Sequence, residues 1–254
     1  VNRFFSFGDT MNFRHMGGYH TAGGRTTAGD RLYRSGFLHL DTASDRVAFE
    51  RLEISTVYDF RSPVERTKNT LGVNSDTEVV ALGMLVASVE NLWSMLLEEG
   101  LTAQGAEQIM IDRYRELARE EIPGYRAMFS HMLEREGNVL VMCSFGKDRA
   151  GIASALLLKA LGVSDVEVRE DYLISSSAYA DLGASIKKFE HMFDSQGIPF
   201  DQEIIVPILD ARRIYLEAAW QVMENVAGTT DNFIARELSL NADARHHLVR
   251  RFTC

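Results

Sequence analysis

The stretch Val139-Leu-Val-Met-Cys143-Ser-Phe-Gly146-Lys-Asp-Arg149-Ala-Gly151 decides how this sequence is read. Asn138-Val-Leu-Val-Met142 is short and apolar, the pattern of a strand buried on both faces. From Gly151 to Leu161 the chain is apolar nearly all round, as a buried helix is, and Gly162 stands where a C-cap belongs. A strand passing directly into such a helix sets the residues between them at the carboxyl edge of a parallel sheet, where α/β folds carry their sites. The connection is tight, and Gly146 permits a backbone conformation that other residues resist. In such a curl successive N–H groups converge into an anion nest, and the helix N-terminus behind it adds partial positive charge.

A thiol at the centre of that nest is favoured as a thiolate, which makes Cys143 the candidate nucleophile. Arg149 carries a planar guanidinium that holds two phosphoryl oxygens at once, a geometry lysine lacks. The expected chemistry is attack of Cys143 on phosphorus, giving a cysteinyl-phosphate that water then hydrolyses. Asp148 is the best-placed acid for the leaving oxygen, provided the site keeps it protonated for the first step. Lys147 supplies a second cation, suited to a substrate with more than one phosphate. Ser144, Phe145, Gly146, Ala150 and Gly151 complete the expected phosphate-binding segment. A magnesium-dependent nucleotide loop is excluded, because Asp148 follows Gly146-Lys147 where Ser or Thr would hold the metal.

Working outward, Ile54 to Tyr58 reads as a buried strand, ending in Asp59-Phe-Arg61-Ser-Pro63, where Pro63 suits a helix's first turn. Strands are also expected at Arg31-Leu-Tyr-Arg34 and Glu78-Val-Val-Ala-Leu82, with a tight turn at Thr21-Ala-Gly-Gly-Arg25. Ser44 or Asp45 can cap a helix running to Leu52. Between Val86 and Glu136 three helices are expected, with breaks near Gly100-Leu-Thr102 and Ile122-Pro-Gly124; four or five more follow Ser164.

With 254 residues, 46% of them apolar and 25% charged, the chain fits a single globular α/β domain. The net charge of −9 argues against a nucleic-acid partner, yet leaves room for a locally positive site. Two cysteines, Cys143 and Cys254, make no disulfide framework, and Cys254 is expected to be an incidental thiol at a frayed end. No Cys/His grouping has zinc-ligand spacing, so no metal or other cofactor is expected, and His246-His247 reads as a surface feature. No stretch approaches the ~20 apolar residues that span a bilayer. Val1-Asn-Arg-Phe-Phe-Ser-Phe-Gly lacks a signal peptide's apolar region, so a cytoplasmic address is the default, with secretion left open.

The sequence resembles the bacterial tyrosine and dual-specificity phosphatases related to mycobacterial protein tyrosine phosphatase B. Asn12-Phe-Arg-His-Met-Gly-Gly-Tyr19, Tyr33-Arg-Ser-Gly36, Tyr58-Asp-Phe-Arg-Ser-Pro63 with Glu65, and Cys143-Ser-Phe-Gly-Lys-Asp-Arg149 follow that family's motifs in order. The resemblance implies a cysteine-phosphatase fold: a central, mostly parallel sheet surrounded by helices, in one domain over residues 1–254. The helical pattern itself gives a C-terminal helical region at about 164–252, and the resemblance implies a helical lid insertion at about 86–120. It also implies that Asp148 replaces a separate acid loop and that Asp59 and Arg61 lie near the phosphate. Arg14 either contacts substrate or braces the loop. Expected substrates are phosphotyrosine proteins, with phosphoserine or phosphothreonine, and phosphoinositides through the position of Lys147. Stable membrane insertion is not expected.

Three positions depart from the family pattern. Met142 replaces the usual histidine, Ala150 the usual threonine or serine, and His15 an aspartate. Losing one donor to a charged group costs about 1.5–3 kcal/mol, which points to a slower enzyme rather than a dead one. A phosphoinositide or small-molecule phosphatase and a phosphate-binding pseudophosphatase are the alternatives.

Overall fold

The computed structural model describes residues 3–68, 71–84, 89–96, 100–177 and 201–254, with isolated positions 187, 190 and 194. Its centre is strand β5 (Asn138–Met142), with Val139 to Met142 wholly buried. β5 lies between β2 (Leu32–Ser35) and β3 (Ile54–Asp59), and β4 (Glu78–Ala81) extends the sheet beyond β3. These four strands run parallel, and β1 (Arg14–His15) is antiparallel on the β2 edge. A mostly parallel sheet covered by helices is therefore the observed fold class, and all four parallel strands fall where the sequence predicts them.

Helix α6 (Arg149–Ala160) leaves β5 through the cysteine loop, and every residue in it except Lys159 is buried. Gly162 follows at φ +86°, the left-handed position expected after the helix end. Before the loop come α1 (Ala43–Glu50), α2 (Pro63–Lys68), α3 (Val89–Leu96), α4 (Ala103–Glu120) and α5 (Ile122–Glu134). After it come α7 (Asp165–Ser177), α8 (Gln202–Leu209), α9 (Arg213–Ala227), α10 (Thr230–Glu237) and α11 (Ala242–Phe252).

Two local expectations are revised, the cap of α1 and the frayed end at Cys254. The cap of α1 is Thr42, not Ser44 or Asp45, because Thr42 and Asp45 bond reciprocally in a capping box. In the 86–120 stretch expected as a lid, residues 85–88 and 97–99 lie outside the described residues, while Leu92 and Leu96 of α3 and Ala106, Met110, Tyr114 and Leu117 of α4 all sit in the main core. Cys254 is exposed but its backbone does not fray, since its N–H and C=O pair with Thr26 at 2.9 and 3.0 Å.

The sheet separates two apolar clusters. The larger joins Val139, Val141 and Cys143 to α4–α7 and the C-terminal helices, while the smaller gathers Phe7, Phe13, Tyr33, Phe49, Leu140 and Met142. Alternation along β5 thus sends Met142 to one face and Cys143 to the other. Met142 serves here as apolar packing in the smaller cluster.

Leu157 on α6 is fully buried, so Leu157→Ala should cost about 2–5 kcal/mol in urea unfolding. Val166→Ala, at a position 58% exposed, should stay within about 0.5 kcal/mol in the same measurement.

Candidate active site

Cys143 follows the last residue of β5 and is 2% exposed. Gly146, at φ +67°, turns the loop so that its N–H donates to Cys143 Sγ at 3.2 Å. Any Cβ at Gly146 would fall into the backbone of Ser35 and Gly36 at the end of β2. Glycine is demanded there twice, by dihedral and by space. Phe37 N–H donates to Ser144 O at 3.0 Å, and Phe60 N–H to Met142 O at 2.9 Å, fastening the loop to both neighbouring strand ends.

Arg149 opens α6 and is held by Glu65 in a two-pronged pair, with NH1 to Oε2 and NH2 to Oε1 both at 2.7 Å. Its NH1 also donates to Phe60 O at 3.1 Å. Glu65 in turn accepts from Ser144 Oγ and, at 2.7 Å, from Ser62 N–H. Burial raises the Glu65 carboxyl, but the Arg149 bonds and charge outweigh it and hold it at about 2. Arg149 itself is opposed by burial, yet the Glu65 bonds and nearby charges raise it above its ordinary value. Glu65 is a functional residue that the sequence motif contains without marking its role. The signal was Ser62-Pro-Val-Glu65, a capping box that sets a carboxylate in the first turn of α2.

Asp148 accepts from Tyr114 Oη at 2.8 Å, and Tyr172 Oη donates to Tyr114 Oη at 2.6 Å. Lys147 Nζ lies 3.3 Å from Asp148 Oδ1. Burial pushes the Asp148 carboxyl up, but Lys147, Arg113, the Tyr114 hydroxyl and Arg149 together bring it below its ordinary value. That direction favours the carboxylate in the resting protein, whereas the expected role as acid asks for the protonated form. Lys147 is also corrected. Its ammonium is buried and bonded to Ile208 O and, at 3.1 Å, to Asp210 O, rather than open to a second phosphate.

Arg113 on α4 and Tyr125 on α5 were not foreseen. Both are buried, and both lie within electrostatic reach of Cys143, Asp148 and Arg149. Tyr125 packs on Phe60, ring centres 5.8 Å apart. Nothing in the local sequence marks these two residues, because the packing of α4 and α5 brings them to the loop.

Other candidates are placed as follows. Asp59 takes the Arg61 guanidinium at 2.8 Å, and Arg61 lies over the Phe37 ring at 4.8 Å, both residues buried beside the end of β5. Arg14 is 0% exposed and bonded to Asn12, Asp171 and Ser175. Ala150 and Gly151 are buried in the first turn of α6, with Arg34 and Tyr172 against Gly151. Ser144 and Phe145 are half-buried. His15 Nδ1 accepts from Gly17 N–H at 3.1 Å, a turn contact away from the loop.

A thiol beneath a backbone amide thus lies at the mouth of a helix whose first residue is a carboxylate-braced arginine. The chain belongs to the tyrosine phosphatase family, whose model matches residues 5–254. It is 29% identical over 246 residues, 95% of this chain and 87% of the relative, to a Cupriavidus necator protein described as a tyrosine-protein phosphatase. It is 27% identical over 236 residues to the triple specificity protein phosphatase PtpB of Mycobacterium tuberculosis, covering 80% of this chain and 84% of that one. Among solved structures it resembles P. aeruginosa TpbA at 19% identity and a TM-score of 0.33, covering 61% of this chain and 78% of that one. Among the described residues no helix is long and apolar enough to cross a membrane.

The Glu65 carboxyl is depressed from 4.5 to about 2, so its stabilising contribution is complete above pH 4.5 and is lost as pH falls through about 2. Glu65→Gln should be less stable than the parent by about 3–5 kcal/mol at pH 7, the cost of breaking a buried pair. That gap should close over the same acid range in a pH series of urea unfolding curves.

Proposed function

We propose that this phosphatase hydrolyses phosphotyrosine in proteins through a cysteinyl-phosphate on Cys143. The Gly146 amide directed at Cys143 Sγ carries this reading, because the same donor that meets the sulfur can meet a phosphoryl oxygen. Cys143 attacks phosphorus as the tyrosyl oxygen departs, and Arg149 holds the equatorial oxygens while remaining on Glu65.

Asp148 supplies the proton to the departing oxygen. Its carboxyl is held down by Lys147, Arg113 and Arg149, so an incoming phosphate dianion, which offsets those charges, raises its proton affinity when substrate arrives. Water then attacks the phosphocysteine, Asp148 takes its proton, and phosphate leaves with the thiolate restored. The name of the mycobacterial relative supports including phosphoserine and phosphothreonine peptides in any substrate panel. The enclosed Lys147 gives the phosphoinositide alternative no support of its own.

Cys143→Ser and Arg149→Met should each lower aryl phosphate hydrolysis by about a thousandfold or more, and a phosphocysteine should be trapped at Cys143 by rapid acid quench and mass spectrometry. Undiminished turnover in Cys143→Ser would end the proposal. Tyr114→Phe removes a donor that favours the Asp148 carboxylate, so the acid keeps its proton to higher pH. The alkaline limb of kcat, which reports groups in the substrate complex, should accordingly move up in the pH–rate profile; a limb that stays in place or moves down rejects Asp148 as the acid.

A further inference from the structure

Two successive carbonyls of the cysteine loop are tied to one side chain that lies far away in sequence. Asn12 Nδ2 donates to Gly146 O at 2.9 Å and reaches Phe145 O at 3.5 Å. A trans peptide sets its N–H opposite its C=O. Drawing these two carbonyls toward Asn12 therefore turns the N–H groups of Gly146 and Lys147 to the other side, and the Gly146 N–H does meet Cys143 Sγ at 3.2 Å.

The direction of the Asn12 amide is itself determined. Arg14 has donors only, and its NH1 bonds Asn12 Oδ1, so Nδ2 must face the loop. Behind it, Asp171 takes Arg14 NH2 at 3.4 Å and Arg34 NH1 at 2.9 Å, and Arg34 NH2 gives Gly146 O a second donor at 2.7 Å. Ser175 Oγ accepts from Asn12 at 3.3 Å. Asn12 is 3% exposed and sits at φ +58°, a left-handed conformation that asparagine tolerates better than most residues. Both ends of its amide are thus engaged at a backbone position few other side chains could occupy.

We propose that Asn12 is a positioning residue for phosphate binding: by holding the Phe145 and Gly146 carbonyls outward, it aims the Gly146 and Lys147 amides at Cys143 and at any phosphoryl group there. This rests on the phosphoryl-transfer reading above. Arg34, through Asp171, reinforces the same carbonyl. Without these donors either peptide can rotate and present an oxygen lone pair to an anion.

The test compares the parent protein with Asn12→Asp, which sets an acceptor against two carbonyls, and Asn12→Gly, which removes the amide but keeps the left-handed backbone accessible. Inorganic phosphate binding is measured by calorimetry. Alkylation of Cys143 by iodoacetamide at pH 7 is followed by peptide mass spectrometry, with exposed Cys254 as the internal reference, and folding by thermal unfolding. Phosphate binding should weaken about 10- to 100-fold in both variants, the worth of one or two donors to a charged group, and Cys143 alkylation should slow while Cys254 is unchanged. A purely structural asparagine would lower the unfolding midpoint and leave both readouts alone. Should Asn12→Asp fail to fold, Asn12→Gly decides: a folded variant that binds phosphate as the parent does overturns the inference and leaves the phosphatase reading standing. A parent protein that neither binds phosphate nor hydrolyses an aryl phosphate overturns both.

Discussion

At the carboxyl edge of the sheet the loop that leaves β5 packs so closely on the end of β2 that the residue where it turns can have no side chain. Gly146 abuts the backbone of Ser35 and Gly36, and its left-handed dihedral is what brings its N–H back onto Cys143. Each later feature builds on that contact. The helix that begins at Arg149 inherits its direction from the turn, and the Glu65 brace meets Arg149 because α2 starts from the neighbouring strand end.

Around this backbone contact the protein assembles charge that its composition conceals. The chain as a whole carries −9, yet Arg14, Arg34, Arg61, Arg113, Lys147 and Arg149 are all buried at this end of the sheet. The buried carboxylates that face them are Asp59, Glu65, Asp148 and Asp171. The local balance is positive, and a dianion entering the loop supplies what the carboxylates do not. Burying this many ions is costly unless they are paired and hydrogen-bonded, and the two-pronged Glu65–Arg149 pair and the single bond from Arg34 NH1 to Asp171 offset part of that cost.

Much of this was legible along the chain. β5, the loop and α6 form one continuous segment, so a short apolar run, a glycine and an apolar helix were enough to place Cys143 and Arg149 together. What could not be read came from elements remote in sequence. The Tyr114 hydroxyl that reaches Asp148 and the buried Arg113 belong to a helix whose own pattern reports only that one face is apolar. Lys147 was misread for a related reason: a lysine in an anion-binding loop suggests a ligand contact, and only the C-terminal helices reveal carbonyls waiting for it. Arg14 and Asn12 share a motif, but the division of labour between them depends on which end of an amide faces which neighbour. Sequence cannot specify that.

The Lys147 contact bears on how the chain can be divided. Its ammonium binds carbonyls at the carboxyl end of α8, where the helix dipole favours a cation. Removing the helices after the loop would take both carbonyls from that ammonium and open it to water immediately beside the candidate proton donor. The C-terminal helical region is thus no appendage to a minimal enzyme but the far wall of its electrostatics. A shortened relative would have to replace that lysine, or find it new carbonyls, before it could dispense with the helices.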